Sequence, residues 1–84
     1  MKKDTNAFIT IFRYNDDYMI DIVKENKGTH FGYSAWIYHK DYGVKDLMFG
    51  IDDPNGGDKG FIDLVESSAD EYIKTYEFYH MKGE

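Results

Sequence analysis

The sequence predicts an α+β domain, a four-stranded antiparallel β-meander with one C-terminal α-helix packed on one face (ββββα). Three observations lead there. Between Ala7 and Ile51, runs rich in β-branched and aromatic residues alternate with short polar or glycine-bearing segments, the pattern of strands joined by tight turns. From Phe61 the apolar spacing changes from two to three and four, the signature of an amphipathic helix. When the strands are paired through their turns, the large apolar side chains collect on one face, and a single helix is left to cover it.

One domain over 1–84 is expected. Met1 to Asn6 reads as a polar, frayed start, 7–51 as the sheet, 52–60 as a loop and 61–81 as the helix. Ala7 to Tyr14 (AFITIFRY) and Tyr18 to Lys24 (YMIDIVK) are the first two strands, with Asn15-Asp16-Asp17 as turn material between them. Glu25 to Gly28 supplies the second turn, where Gly28 suits a positive φ. Thr29 to Lys40 is the third strand, Asp41-Tyr42-Gly43 the third turn and Val44 to Ile51 (VKDLMFGI) the fourth strand. Phe61, Ile62, Val65, Ala69, Tyr72, Ile73 and Tyr76 mark the apolar stripe of the helix. Asp58 or Gly60 is expected to cap its start, and Lys82-Gly83 to end it.

Turn lengths set the register. A three-residue loop at Asn15 to Asp17 places Phe12 against Ile20 and Thr10 against Ile22. A four-residue turn at Glu25 to Gly28 places Ile22 against Phe31, Ile20 against Tyr33 and Tyr18 against Ala35. The third turn places Ile37 against Leu47, Ala35 against Phe49 and Tyr33 against Ile51. The predicted core face is then Phe8, Phe12, Ile20, Ile22, Phe31, Tyr33, Ile37, Leu47, Phe49 and Ile51. The opposite face carries Ile9, Ile11, Met19, Val23, Trp36, Tyr38, Val44 and Met48, with Asp21, Arg13, Asp46 and Lys45 as neighbours in part.

Composition narrows the function classes. A chain of 84 residues buries only about 60–65% of its unfolded surface, so one core is all it can build. With no Cys, a disulfide framework, a thiolate nucleophile and a zinc ribbon are excluded. The start is too short in apolar residues for a signal peptide, and no window is apolar enough for a membrane span, so a cytoplasmic location is expected. Sixteen acidic residues against ten basic give a net charge of -6, which opposes direct binding to nucleic acid or an anionic membrane and favours a basic protein partner.

Two surfaces are candidate binding sites. On the uncovered sheet face, Ile11, Met19, Trp36, Tyr38 and Met48 have the aromatic and Met-rich composition of a protein interface. On the helix, Asp63, Glu66, Asp70 and Glu77 fall at spacings that align them as an outward acidic stripe, able to imitate a phosphate backbone or simply to solvate the helix. The Asp52–Gly60 loop fits neither a calcium-binding loop, where Leu64 replaces the bidentate Glu, nor a phosphate-binding loop, where the glycine spacing is wrong. Ser34, His30 and Asp21 can be assembled into a relay on paper, but a flat sheet excludes no water, so no catalytic residues are assigned and no enzymatic activity is expected. No metal site and no cofactor are expected. The function predicted is a small acidic protein-interaction module. Its concrete version is a phage or mobile-element inhibitor, anti-defence in role, that binds a basic nucleic-acid-binding partner. The alternative is a structural homodimer formed through the exposed aromatic sheet face.

Overall fold

Short polar turns reverse the chain three times in the computed structural model, which describes residues 6–81 and, within the first strand, the backbone alone. The strands are β1 (Asn6–Arg13), β2 (Tyr18–Asn26), β3 (Phe31–His39) and β4 (Asp46–Asp52), followed by the helix α1 (Gly57–His80). Every neighbouring pair is antiparallel and the order across the sheet is β1-β2-β3-β4. The class is α+β, an antiparallel sheet with a C-terminal helix on one face. Among the described residues no helix is long and apolar enough to cross a membrane.

The first reversal follows from Asn15. Its side-chain oxygen accepts hydrogen bonds from the amides of Asp17 (2.8 Å) and Tyr18 (2.9 Å), the Asx geometry that lets a short polar residue replace backbone pairing. β1 and β2 then pair Phe12 with Ile20 and Thr10 with Ile22, as the three-residue loop requires, and an irregularity between Phe8 and Thr10 resets the pairing to Phe8 with Val23. The side chains of β1, including Ile11, lie outside the described residues.

The β2–β3 register differs from the expectation. Ile22 pairs with Ala35, Ile20 with Ile37 and Tyr18 with His39, so each partner lies four residues farther along β3 than expected. The cause is the turn: the strands run on to Asn26 and Phe31, and the chain reverses through Lys27 to His30 with Gly28 at φ 95°. Four is an even number, so every side chain stays on the face assigned to it.

The β3–β4 pair departs by an odd step. Tyr33 pairs with Ile51 and Ala35 with Phe49 as expected, but a bulge then sets Trp36 against Leu47 and Ile37 against Asp46. Met48 is the extra residue. It is 6% exposed and belongs to the core, whereas Leu47, 52% exposed, lies outside it. The expected places of these two neighbours, Leu47 in the core and Met48 on the open face, are therefore exchanged.

Ile20, Ile22, Ala35 and Ile37 from the two central strands meet Phe61, Val65, Ala69 and Tyr76 from α1, all of them buried. Phe49 packs across the interface, its ring 5.5 Å from Phe61 and 5.8 Å from Tyr72. Phe31, expected in the core, is exposed at the end of β3, with Lys24 Nζ 4.5 Å from its ring centroid.

α1 begins four residues earlier than its apolar pattern indicates, directly after Gly56 in the left-handed region (φ 83°), and no side chain caps it. Gly60 sits inside the first turns because a Cβ there would fall on the Asn55 carbonyl group, so this glycine is a packing requirement rather than a loop marker. Asp58, a candidate cap in the sequence, turns instead to the sheet and accepts hydrogen bonds from Tyr33 Oη and Lys24 Nζ. At the far end of α1, Tyr76 Oη donates to the Val44 carbonyl at 2.6 Å, Tyr18 Oη donates to Glu77 at 3.0 Å, and His80 Nε2 lies 2.8 Å from Asp46 Oδ2. Polar clamps at both ends of an apolar contact fix where the helix lies along the sheet.

Candidate functional site on the open sheet face

The alternation of side chains along β2 and β3 sends Met19, Asp21 and Val23, and Ser34, Trp36 and Tyr38, away from the helix. No element among the described residues covers this face. It bears an open groove of about 560 Å³, lined by Val23, Ser34, Trp36, Leu47 and Gly50 near its middle and by Glu25, Lys27 and Asp52 towards one end. The hollow exists because small residues meet there. Ser34 pairs with Gly50 across β3 and β4, so the floor between the Val23, Trp36 and Leu47 side chains carries almost no side-chain volume.

Trp36 is held rather than loose. Its indole N–H donates to Ser34 Oγ at 3.1 Å, which fixes the ring along the strand. Its partner on β2 is Asp21 and, because of the bulge, its partner on β4 is Leu47. Tyr38 pairs with Met19 on the same face, and Lys45 Nζ lies 5.1 Å from the Tyr38 ring centroid.

Asp21 is 3% exposed, a carboxylate buried on the face turned away from the helix. One oxygen receives Lys45 Nζ at 2.7 Å, and the other, Oδ1, has no hydrogen-bond partner among the described residues. The hydrogen bond to the Asp21 carboxylate, and that carboxylate's charge, hold the Lys45 ammonium above its ordinary range because both favour its charged form.

The acidic residues of α1 are divided between solvent and sheet. Asp70 accepts a hydrogen bond from Tyr14 Oη at 2.9 Å and Glu77 accepts one from Tyr18 Oη, while Asp63 pairs with Lys59 at 3.0 Å. The uniform outward stripe expected from the sequence is thus a flank whose members Asp70 and Glu77 reach back to β2 and the preceding turn. The hydrogen bond to Asp70 is the main reason the Tyr14 phenol is held above its ordinary range, followed by burial, with the charge of exposed Glu66 a smaller addition.

Ser34, His30 and Asp21 are not brought together. Ser34 accepts from Trp36, His30 lies in the turn with Nδ1 2.9 Å from Thr29 Oγ1 and Nε2 3.4 Å from Asp52, and Asp21 holds Lys45. Among the described residues, no group of three or more His, Asp or Glu could hold a metal ion.

Two members of this face were not singled out as site residues from the sequence. Leu47 is hidden by the bulge, and Lys45 lies in irregular chain before β4. A usable signal for Asp21 and Lys45 was present: an acid interrupting the apolar run Met19-Ile20-Asp21-Ile22-Val23 implies a cation near it.

No protein-family model matches the chain, and neither a curated protein nor a solved structure matches it.

Proposed function

We propose that the protein is a small acidic interaction module that binds a basic protein partner on the open face of its sheet. In this reading the complete ββββα arrangement is one working unit, with the helix securing the core and the opposite face left for the partner. The observation that carries it is the groove beside Trp36, a hollow of about 560 Å³ bordered by a fixed indole and a half-exposed Leu47 on a face that no element among the described residues covers. A flat solvated sheet needs neither the hollow nor the exposed Leu.

Charge favours a foreign partner over a second copy. Two chains of net charge -6 repel as they approach, whereas a basic surface is drawn in. Inhibition of a nucleic-acid-binding protein, by occupying its basic groove, is the role in which these properties would be used together. Among the helix carboxylates, exposed Glu66 adds to that field directly, and Asp63 adds to it beside its Lys59 partner.

The test compares variants of the immobilised protein for retention of one partner. Trp36→Asp and Leu47→Glu are expected to release it while keeping the far-ultraviolet circular dichroism of the parent. Asp63→Lys with Glu66→Lys is expected to weaken retention without abolishing it. Full retention by Trp36→Asp would remove the open face as the docking surface. Sedimentation of the parent separates the self-pairing alternative, because a dimer that Trp36→Asp converts to monomer would assign the face to a second copy.

A further inference from the structure

Asp21 is the group that the fold leaves incomplete. It is buried, one oxygen has no partner among the described residues, and it lies opposite Trp36 and diagonal to Tyr38 on the open face. Such a group is ordinarily satisfied in full, and a half-satisfied one calls for an explanation. Lys45 reaches Asp21 from solvent, with about half of its side chain exposed, passing the Tyr38 ring on the way. The backbone on either side is held, the Val44 carbonyl by Tyr76 Oη and Asp46 by His80, so it is the long, half-exposed Lys45 side chain that leaves Asp21 by rotation about its own bonds, with no strand disturbed. The present occupant shows what the place accepts: a cation, on a carboxylate, beside the Tyr38 ring.

An ammonium is a point charge and here reaches one carboxylate oxygen. A guanidinium presents parallel N–H groups that engage both oxygens, stacks on aromatic faces and gives up its hydration more readily. We propose that Asp21, Trp36 and Tyr38 form a binding site for an arginine side chain of the partner protein, and that Lys45 is an internal stand-in which the arginine displaces. This rests on the open face being the docking surface and names the residue that the partner inserts there. The groove alongside Trp36 receives the chain flanking the arginine, and Glu25 and Asp52 along it suit a basic segment, with Lys27 the opposing charge.

The probe is N-acetyl-arginine amide, with the neutral citrulline amide as control, titrated against the fluorescence of Trp36, the single tryptophan of the chain. Lys45→Gln removes the stand-in and is expected to tighten arginine-amide binding by about tenfold, the factor recovered when an internal competitor present about nine-tenths of the time is deleted. Asp21→Asn combined with Lys45→Gln removes both charges together, leaves none unpaired, and is expected to lose the response. Arginine amide is also expected to raise the melting temperature of Lys45→Gln and not that of the double variant, a readout that survives if Lys45→Gln is less stable. Equal affinity of the parent and Lys45→Gln, an equal response to citrulline amide, or binding by the double variant would overturn the proposal. A partner released by Trp36→Asp but held unchanged by the double variant would remove the arginine site and leave the docking face standing.

Discussion

Truncating Met48 should cost far more than truncating Leu47, the reverse of what a straight strand would give. The bulge at Met48 puts this side chain into the core at 6% exposure and leaves Leu47 52% exposed beside Trp36. Buried Met→Ala changes cost about 2–5 kcal/mol through lost transfer energy and the residual cavity. Met48 lies on an edge strand whose neighbours can partly close the gap, so the lower part of that range applies, about 2–3 kcal/mol. At about 4–8 °C per kcal/mol for a domain of this size, the melting temperature of Met48→Ala falls by roughly 10–20 °C. Leu47→Ala stays within about 0.5 kcal/mol, as half-exposed surface substitutions do. Urea denaturation followed by far-ultraviolet circular dichroism, fitted with a common m value, reads both differences. A Leu47→Ala loss equal to or larger than that of Met48→Ala would refute the bulge and restore the uninterrupted register.

Two further perturbations test how the helix is clamped. Tyr76→Phe deletes a buried hydroxyl that donates to the Val44 carbonyl at 2.6 Å, and is expected to cost about 1–2 kcal/mol in the same urea assay, since the carbonyl loses its partner while the ring remains. In alkali, Tyr18 is held above its ordinary value by burial and then by its hydrogen bond to Glu77, and Tyr33 by burial and then by Asp58. A raised folded-state pKa gives stability that is complete below the unfolded value, about 10 for tyrosine, and is lost as pH rises from there towards the folded value. The urea midpoint should therefore hold to about pH 9.5 and fall above pH 10, less steeply in Tyr18→Phe. A slope above pH 10 unchanged by Tyr18→Phe would remove this phenol from the account. Asp58 runs the other way: its hydrogen bond from Tyr33, with Lys24, lowers its pKa, so its contribution is present above the unfolded value and lost as pH falls through the folded one.

How much of this was legible in the sequence depends on parity. The β2–β3 turn was misplaced because Glu25 to His30 is polar throughout, and nothing in it marks where the strands end. The resulting error was even, so the division of β2 and β3 into a core face and an open face survived it. At Leu47-Met48-Phe49 the same reasoning had no purchase. Three consecutive apolar residues carry no alternation, so hydropathy cannot say which of them turns inward, and a bulge is decided by tertiary packing. The open face and Trp36 were readable for the first reason, and the exchange of Met48 for Leu47 was not for the second. The acidic helix flank shows a similar division. Spacing placed Asp63, Glu66, Asp70 and Glu77 near one another, but that Asp70 and Glu77 would accept hydrogen bonds from Tyr14 and Tyr18 depended on where the helix lies along the sheet. The glycine-rich start of α1 looks like loop in the sequence because Gly60 resembles turn chemistry, although the nearby Asn55 carbonyl requires a glycine there.

The central claim is that a partner docks on the open sheet face, and site-specific crosslinking addresses it most directly. A photoreactive residue is placed at Leu47, beside the groove, or at Leu64, exposed on the helix. The account predicts a covalent adduct with the partner from position 47, abolished by Trp36→Asp, and none from position 64. An adduct from position 64 with none from position 47 would contradict it and move the interface to the helix.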